Sequence, residues 1–274
     1  MRSQHLPSVA VITIATNKYI QYWKSMALSV DEYMTSQNDV TFHLFTDQPT
    51  AARNFSSELI NSQLVVSEVP AWKWPEVALK RYEVIYNYMS DIKEDYIVYI
   101  DADMLALSVI PRMEMLINKS RIAITYHPGF WRPLGFKKFL FYFLHPLIAV
   151  RDIRMGRRIG GLGAWETSPT SAAFVPRDLR TSYFCGGFWL GETEAIFDLC
   201  KRLMQQTRLD LDAGVEAKWL DESHLNKWAV MNPNSFNRLS PEYCFDKTYP
   251  QLRTLVAKIE AVNKAKNPVE DWHE

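Results

Sequence analysis

The sequence predicts an α/β protein with a mixed, mostly parallel central sheet flanked by helices, folded as a single domain. Two patterns support this fold class. The strand candidates are continuous apolar runs, as in strands buried on both faces of a parallel sheet. Segments with apolar residues three or four positions apart separate these runs, which indicates right-handed βαβ units. The 274 residues suffice for one such domain with a substantial core.

The first strand candidates lie in the amino-terminal part of the chain. Residues 9–16, 40–47 and 64–66 are apolar runs that predict strands. A helix is predicted after the first run from apolar residues three or four positions apart, namely Trp23, Met26, Ala27, Val30 and Tyr33.

The fourth candidate strand, residues 96–100, runs directly into Asp101 and Asp103. Ligands bind at the carboxyl ends of strands in open α/β sheets, and alternate residues of an extended chain share a face. The two carboxylates can therefore converge on Mn²⁺ or Mg²⁺, with diphosphate oxygens and water completing the shell. A polar strand end entering a turn is the alternative. Leu105 argues against aspartyl phosphotransferases, whose motif resembles Asp-x-Asp-x-Thr.

Basic and aromatic residues flank this strand in sequence. A helix opened by Pro75 carries Lys80 and Arg81, which could neutralise a diphosphate or form a solvated basic pair. A strand at residues 122–126 is followed by a Pro-Gly turn, which predicts that His127 is exposed in a loop with Trp131. Such a histidine suits recognition of sugar hydroxyls, or is an ordinary surface residue.

Residues 132–165 hold an apolar run, 139–150, between two basic clusters. The run is broken by Pro146 and is too short to span a bilayer. This pattern is typical of a segment lying in a membrane interface beside anionic lipid, so residues 136–158 are candidates for peripheral membrane contact. A core hairpin or an oligomer contact is the alternative. The basic residues are Lys137, Lys138, Arg151, Arg154, Arg157 and Arg158.

Two motifs stand out in the second half of the chain. Gly186 and Gly187 lie between aromatic residues and would let the backbone approach a ligand closely. Asp221 and Glu222 follow Trp219 at a predicted helix start. These acids could interact only with the helix dipole, or they could border a reacting sugar carbon, where a carboxylate stabilises positive charge.

The composition bounds the partners and the compartment. Lys and Arg number 31 and so do Asp and Glu, so no nucleic-acid partner is expected. The 9 Trp and 13 Tyr suit sugar and base stacking as well as core packing. Cys185, Cys200 and Cys244 are widely spaced and predict neither a zinc site nor a disulfide framework. A cytoplasmic location is expected, since no signal peptide or transmembrane segment is evident.

Several of these motifs together resemble glycosyltransferase family 6, the retaining α1,3-galactosyl- and α1,3-N-acetylgalactosaminyltransferases that include the blood-group A and B enzymes. The stretch 221–227 is the most diagnostic. The resemblance implies a GT-A fold and a single catalytic domain. The matching segments are residues 45–49, 101–104, 127–130, 186–188, 219–227 and 239–243 with Asp246. The implied parts are a nucleotide-binding part at about 8–130, an insertion at about 132–165, an acceptor-binding part at about 166–250 and a carboxyl-terminal tail at 251–274.

The resemblance also implies a UDP-sugar donor, held through Mn²⁺ or Mg²⁺ on Asp101 and Asp103, and a β-galactoside acceptor. In the family, a glycine at the position of Gly187 favours UDP-GalNAc over UDP-galactose. Nearby, Cys185 differs from the residue that the family usually has at its own position. The implied donor-side residues are Ala15, Thr16, Tyr19, Trp74, Arg81, Asp101, Ala102, Asp103, Cys185, Gly186, Gly187 and Lys264. The implied acceptor-side residues are His127, Trp219, Glu222 and Asp246.

The catalytic roles implied by the resemblance fall to Glu222, Asp221 and Arg81. Glu222 would attack the anomeric carbon or stabilise an oxocarbenium ion, Asp221 would contact the donor sugar, and Arg81 would carry charge developing on UDP. Some bacterial relatives have Asn-x-Asn and work without metal, whereas this chain keeps both aspartates. The amino-terminal anchor of animal relatives is not expected here, and the insertion after Trp131 leaves the acceptor open. A UDP-sugar hydrolase and a non-catalytic galactoside-binding module are the alternative functions.

Overall fold

The computed structural model describes residues 6–118 and 120–264. Within them the chain forms nine strands, eight α-helices and four short 3₁₀ helices. The strands are β1 (Ser8–Ile14), β2 (Asp39–Thr46), β3 (Gln63–Glu68), β4 (Tyr96–Ile100), β5 (Met104–Ala106), β6 (Ile122–Tyr126), β7 (Phe184–Glu192), β8 (Asn237–Leu239) and β9 (Ile259–Ala261). The α-helices are α1 (Tyr19–Tyr33), α2 (Pro49–Phe55), α3 (Glu76–Asn87), α4 (Met113–Ile117), α5 (Gly135–Leu144), α6 (Pro146–Ile159), α7 (Thr193–Asp212) and α8 (Leu220–Met231). The 3₁₀ helices are Ser56–Glu58, Arg177–Leu179, Pro241–Cys244 and Pro250–Leu252.

Seven strands form one mixed sheet in the order β3-β2-β1-β4-β7-β6-β8. Strand β1 pairs parallel with β2 and β4, and the pairs β2–β3 and β6–β8 are also parallel. Strand β7 runs antiparallel to both of its neighbours, β4 and β6. The predicted mixed, mostly parallel sheet with flanking helices is confirmed. A separate two-stranded sheet pairs β5 with β9.

The surroundings of β4 differ from the prediction in one respect. The continuous apolar run at residues 96–100 predicts a strand inside a parallel sheet, yet β4 has a parallel partner on one side only. Its other partner, β7, contains Gly186, Gly187 and Gly191, which obscure the strand pattern in the sequence. Alternate residues of β4 still pack into the clusters on opposite faces of the sheet, so the strand is covered on both faces.

The core lies on both faces of the sheet. Alternate residues of a strand point to opposite faces, so Val9 and Val11 pack with Trp23 of α1, whereas Ile12 packs with Trp189 in the other cluster. That second cluster also receives buried side chains from α3, α7 and α8. Two-sided burial explains why the strands read as unbroken apolar runs.

Helices α5 and α6 form a hairpin that stays largely outside this core. Phe141 is the buried residue of α5 and Asp152 that of α6. The hairpin therefore does not behave as a core element, one of the interpretations that its sequence allows. No helix among the residues that the structure describes combines the length and the hydropathy needed to cross a membrane.

Candidate active site

An open pocket of ≈ 2020 Å³ lies at the edge of the sheet where β1, β2 and β4 end and β7 begins. Parallel strands that end together place the residues after them at one edge, which is where α/β sheets bind ligands. Most of the residues singled out from the sequence line this pocket. They are Thr16, Tyr19, Trp74, Arg81, Asp101, Ala102, Asp103, His127, Gly186, Gly187, Trp219, Asp221, Glu222 and Lys264. Of the site residues that the family resemblance implies, three do not line it, namely Ala15, Cys185 and Asp246.

Arg81 on α3 connects two acidic residues from different parts of the chain. Its Nη2 donates to Asp101 Oδ1 at 2.9 Å, and its Nη1 lies 2.6 Å from Asp221 Oδ2. Nη1 also donates to the carbonyl oxygen of Gly186 at 2.9 Å, and the guanidinium lies 4.5 Å from the ring centroid of Tyr99. A planar cation with several donors is suited to such a position. Neighbouring Lys80 instead pairs with Glu83 at 3.4 Å and does not line the pocket.

Asp101, the first acid of the Asp-x-Asp pair, is held in place by both side-chain and backbone hydrogen bonds. The Tyr99 hydroxyl donates to its Oδ1 at 2.8 Å, and its backbone N–H donates to the Gly187 carbonyl oxygen at 3.0 Å. A Cβ at Gly187 would lie 2.8 Å from Asp101 Oδ2, so this position must be glycine for the carboxylate to fit. Burial raises the pKa of Asp101, Arg81 counteracts the rise, and the Asp103 charge adds to it.

Asp103 is paired with the last residue that the structure describes. Lys264 Nζ lies 2.6 Å from Asp103 Oδ2 and donates to the Tyr19 hydroxyl at 3.1 Å. Burial works against the charged ammonium, but the Asp103 carboxylate outweighs it and raises the pKa of Lys264. The lysine is thus held charged over the pocket.

The donor set fits a divalent cation that binds together with a ligand. Four of the acids that line the pocket are Asp101, Asp103, Asp221 and Glu222, and Arg81 and Lys264 form ion pairs with three of these four. Burial and, to a lesser extent, the charge of Asp103 raise the pKa of Asp101, and a cation bound here would relieve the repulsion between the two carboxylates. Within residues 6–118 and 120–264 no group of three or more His, Cys, Asp or Glu has metal-ligand geometry. A cation here would therefore draw its remaining ligands from phosphate and water, as Mg²⁺ sites commonly do.

Glu222 is a half-buried acid in the first turn of α8. Its Oε2 accepts a hydrogen bond from the Gly186 backbone N–H at 2.9 Å. Burial raises the pKa of Glu222 to about 7, although the Gly186 N–H lowers it in part. Burial also raises the pKa of Asp221 to about 7, against the effect of Arg81. Two adjacent acids that titrate near neutrality beside an arginine are typical of a catalytic site.

Helix α8 is fixed to β7, and this contact sets the distance between Glu222 and Gly186. Asn226 Oδ1 accepts from the Phe184 N–H at 2.8 Å, and its Nδ2 donates to the Phe184 carbonyl at 2.9 Å. The Ser223 hydroxyl accepts from the Trp219 N–H at 2.9 Å, which caps the start of the helix. The predicted helix start at Asp221 and Glu222 is correct, but both carboxylates are buried in polar contacts rather than exposed on a helix face.

The part of the pocket predicted to bind the nucleotide is formed by the loops after β1 and β2. Thr16 Oγ1 donates to the Trp72 carbonyl at 2.7 Å, and the Asn17 N–H donates to Asp47 Oδ1 at 2.8 Å. These bonds hold the two loops against the segment that carries Trp74, whose side chain is 75% exposed at the pocket rim. Ala15 lies beneath the rim, fully buried.

His127 is half-buried, and the prediction of an exposed loop histidine is wrong. Its ring lies 4.9 Å from Phe130 and 5.8 Å from Tyr183, and its Nδ1 accepts from the Gly129 N–H at 3.0 Å. Burial lowers its pKa to about 4, so the ring is neutral at physiological pH. Trp131 is likewise half-buried.

Asp246 does not line the pocket, although the predicted site counts it among the acceptor-side residues. Its Oδ1 accepts from the N–H of Thr248 at 2.9 Å and from the hydroxyl of the same residue at 2.7 Å. Its charge partly offsets the lowering of the His127 pKa. The side chain of Trp219, in contrast, is 51% exposed at the pocket rim.

Comparison with known sequences covers nearly the whole chain. The profile of glycosyltransferase family 6 matches residues 2–132 and 163–271. The chain belongs to glycosyltransferase family 6. The resemblance seen in the motifs is therefore confirmed, and the protein is a glycosyltransferase of this family with an α/β fold consistent with GT-A. The two matched segments leave out residues 133–162, which hold α5 and α6.

Curated relatives of this chain are named as transferases. The chain is 27% identical over 263 residues to histo-blood group ABO system transferase 1 of Rattus norvegicus, covering 95% of this chain and 67% of that protein. It is 24% identical over 277 residues to globoside alpha-1,3-N-acetylgalactosaminyltransferase 1 of Mus musculus, covering 97% and 70% respectively. The Homo sapiens protein of the latter name is 24% identical over 254 residues, covering 90% and 64%.

Sequence reasoning missed several aromatic residues of this family 6 site. Tyr99 donates to Asp101 and stacks on Trp189 at 4.9 Å, and Trp189 Nε1 donates to the Gly186 carbonyl at 3.1 Å. Tyr183 lies beside Glu222, where burial and the Glu222 charge raise its pKa. Alternation along β4 could have placed Tyr99 on the same face as Asp101, since the two are separated by one residue.

Two of the three free cysteines lie next to each other, a proximity that the sequence does not indicate. Cys185 and Cys244 are widely separated in sequence, yet their buried Sγ atoms lie 2.7 Å apart. Their pairing was not foreseen because β7 and the 3₁₀ helix that ends at Cys244 meet only in the folded chain. Cys200 is a separate buried thiol on α7.

Proposed function

We propose that this family 6 enzyme transfers GalNAc or galactose from a UDP-sugar, with retention and in α1,3 linkage, to a β-galactoside acceptor in the presence of Mn²⁺. The connection of Asp101 through Arg81 to Asp221 supports this proposal most directly. This connection joins Asp101, which is suited to hold a metal-bound diphosphate, to Asp221, which is suited to contact the reacting sugar. The name of the Mus musculus relative supports the choice of an N-acetylgalactosaminyl donor and of the linkage.

The diphosphate is proposed to bind beside Asp101 and Asp103. A divalent ion held by these two carboxylates would supply charge neutralisation for the leaving UDP. Arg81 is fixed by two acids and cannot swing into solvent without leaving buried charges unpaired, so it offers a preorganised positive charge on the same side. Lys264 would exchange Asp103 for a diphosphate oxygen when the donor binds.

The sugar-transfer step is assigned to the wall that carries Glu222 and Asp221. The bond between the anomeric carbon and the UDP oxygen breaks, and a bond to O3 of the acceptor forms. The hydroxyl proton of the acceptor passes to the departing phosphate oxygen. The Glu222 carboxylate either attacks the anomeric carbon first or stabilises the oxocarbenium ion, and both routes need its ionised form.

The choice of sugar is proposed to depend on the small residues of β7. Gly186 and Gly187 line the pocket next to Arg81 with backbone rather than side chains, so the donor sugar can approach the chain closely there. On the acceptor side, neutral His127 and the exposed ring of Trp219 offer a hydrogen-bonding group and a stacking face for a galactoside.

A donor and acceptor panel tests this function. Purified protein is incubated with UDP-GalNAc, UDP-galactose, UDP-GlcNAc and UDP-glucose, each with and without a β-galactoside, in Mn²⁺ or EDTA. Mass spectrometry of the glycan and release of UDP are both measured. We expect a mass increase of one GalNAc or one galactose only in Mn²⁺, with the new linkage resistant to β-specific glycosidases.

The matched variants are Asp103→Asn, expected to abolish transfer, and Asp246→Asn, expected to weaken it far less because Asp246 does not line the pocket. UDP release that is unaffected by any galactoside would instead indicate a hydrolase. Galactoside binding without UDP release, unchanged in Asp103→Asn, would indicate a binding module and overturn the proposal.

A further inference from the structure

The α5–α6 hairpin carries the densest exposed apolar surface of the described residues. Nine of the 24 exposed large hydrophobic side chains lie between Leu134 and Ile153. On α5 they form an apolar stripe with helical spacing of three and four residues, with exposures from 46% to 77%. The apolar stripe consists of Phe136, Phe139, Leu140, Phe143 and Leu144. A helix face of this composition is normally buried against a partner.

The same hairpin is strongly basic, although the whole chain is neutral. Residues 135–159 contain six Lys and Arg side chains against the single acid Asp152, which gives a formal charge of +5. Arg151, Arg154, Arg157 and Arg158 form a basic cluster on the exposed surface of α6. The α5–α6 hairpin thus carries exposed apolar side chains and exposed basic side chains together.

The base of the hairpin is held firmly by buried contacts. Arg132 Nε and Nη2 lie 2.6 Å and 2.9 Å from the two oxygens of Asp152, and the Tyr142 hydroxyl donates to the same carboxylate at 3.0 Å. Burial alone would raise the pKa of Asp152, but these contacts with Arg132 lower it, so the carboxylate stays charged. Side chains of Arg177 and Arg180 donate to carbonyls at the end of α6. The exposed stripe is therefore presented by an anchored helix and not by a frayed segment.

The hairpin is joined to the acceptor side of the pocket at both ends. Arg132 also donates to the Gly129 carbonyl at 3.1 Å, in the turn that carries His127 and Phe130. At the other end, Ala164 lines the pocket. Because the family profile skips residues 133–162, this surface is an addition to the catalytic domain rather than part of its common core.

We propose that the α5–α6 hairpin docks the enzyme onto an anionic phospholipid bilayer. The apolar stripe would enter the interface between headgroups and acyl chains, while the basic cluster would contact lipid phosphates. Charge complementarity decides between this occupant and a second copy of the chain. Two copies joined through their hairpins would bring two charges of +5 together, whereas an anionic surface neutralises them. Docking would hold the acceptor side of the pocket next to the membrane.

Vesicle co-sedimentation of the full chain tests the docking. The vesicles are phosphatidylcholine with and without phosphatidylglycerol, at low and high NaCl. We expect binding to the anionic vesicles that weakens with salt. Each Lys or Arg near such a surface contributes about fivefold to partitioning, or about 1 kcal/mol. The triple variant Arg154→Glu, Arg157→Glu and Arg158→Glu should therefore partition at least ~100-fold less. The double variant Phe139→Asp and Phe143→Asp should lose binding as well.

Control variants alter similar groups elsewhere on the surface. Leu209→Asp with Met115→Asp changes side chains that are 64% and 69% exposed, and Arg53→Glu with Lys201→Glu and Arg202→Glu reverses three exposed charges. Both controls should bind vesicles as the wild type does. Absence of wild-type binding, or equal loss in hairpin and control variants, would overturn the proposal. A dimer in sedimentation velocity that the phenylalanine variant abolishes, without vesicle binding, would assign the surface to a second copy. Because binding is read without any sugar, the result is independent of the transfer assay.

Discussion

The guanidinium of Arg81 lies 2.6 Å from the carboxylate of Asp221, and both side chains are more than four-fifths buried. The two residues lie on α3 and α8, helices that are far apart in sequence and in contact in the fold. The same guanidinium reaches Asp101, so the strand end and the start of α8 are held in one charged network. Removal of one partner from such a network leaves buried charge uncompensated.

Arg81→Lys should reduce transfer by about 100-fold or more, because one ammonium cannot donate to Asp101 and Asp221 in the planar geometry of the guanidinium. Arg81→Met should also destabilise the fold, by about 3–5 kcal/mol, since two enclosed acids lose their counter-charge. Steady-state kinetics and denaturant unfolding measure the two effects. Lys80→Ala is the matched control, because Lys80 pairs with Glu83 and does not line the pocket, so it should change neither value. Equal kinetics for the Arg81 and Lys80 variants would contradict this role.

The adjacent residues Lys80 and Arg81 also show where sequence reasoning ends. Apolar runs predicted β1, β2 and β4, and alternation with helices predicted the sheet, since these patterns depend on local burial. Which of two consecutive basic residues faces the pocket depends on the rotation of α3 against the sheet. In α3 the buried residues Ala78 and Ile85 lie three and four positions from Arg81, and this spacing places Arg81 on the inner face only once the bounds of the helix are known.

Long-range contacts explain the remaining differences. The turn after β6 was correctly recognised, but His127 is covered by Tyr183, which lies on a distant segment. The proximity of Cys185 and Cys244 arises in the same way. Strand β7 escaped notice because its glycines, required by the close packing of Asp101 against Gly187, remove the usual strand pattern.

Gly187→Ala should weaken the site more than the fold. The added methyl group would lie 2.7 Å from Met104 Cε and 2.8 Å from Asp101 Oδ2. The methionine end can move, whereas Asp101 is held by Arg81 and Tyr99, so the carboxylate must shift and lose part of its contacts. We expect the Mn²⁺ concentration for half-maximal activity to rise at least ~10-fold, with a stability loss of about 1–3 kcal/mol.

Gly156→Ala provides the comparison for this variant. No atom lies within 4 Å of its added methyl group, and the residue sits inside α6. Alanine there should stabilise the protein by up to about 1 kcal/mol and leave the Mn²⁺ dependence unchanged. An unchanged Mn²⁺ dependence in Gly187→Ala would show that Asp101 tolerates the shift.

Oxidation should join Cys185 to Cys244 and leave Cys200 free. Diamide removes two electrons and two protons from the thiol pair and is itself reduced to the hydrazine, while one S–S bond forms. The Cys185 contact and burial raise the pKa of Cys244, so the reaction should be slow. Since Cys185 precedes Gly186, whose N–H donates to Glu222, the crosslink should also lower activity.

Peptide mapping by mass spectrometry identifies the crosslink, and dithiothreitol should restore activity. Cys244→Ser should be insensitive to diamide, whereas Cys200→Ser should respond as the wild type does. A crosslink that includes Cys200, or loss of activity without any crosslink, would contradict the expectation.

The stability of the protein should depend on the proton held by Glu222. The ordinary pKa of a glutamate is about 4.3. In the folded chain burial raises it to about 7, so the folded state binds the proton more tightly than the unfolded state. The associated stability is fully present below the unfolded pKa and is lost as pH rises through about 7. Glu222→Gln removes this titration and should flatten the decline in Tm over that window.

Activity should change with pH in the opposite direction. Transfer needs the ionised Glu222 carboxylate, so kcat/KM should rise with pH and level off above about 7. Asp221 titrates in the same range because burial also raises its pKa to about 7, so the rising limb should be steeper than for one proton. His127, with its pKa lowered by burial to about 4, is neutral throughout this range and adds nothing to the limb. Two results would contradict this expectation: a flat kcat/KM profile from pH 5 to 8, or a Glu222→Gln variant whose Tm depends on pH as that of the wild type does. Either result would show that Glu222 is ionised throughout this range, with the Gly186 N–H compensating for its burial.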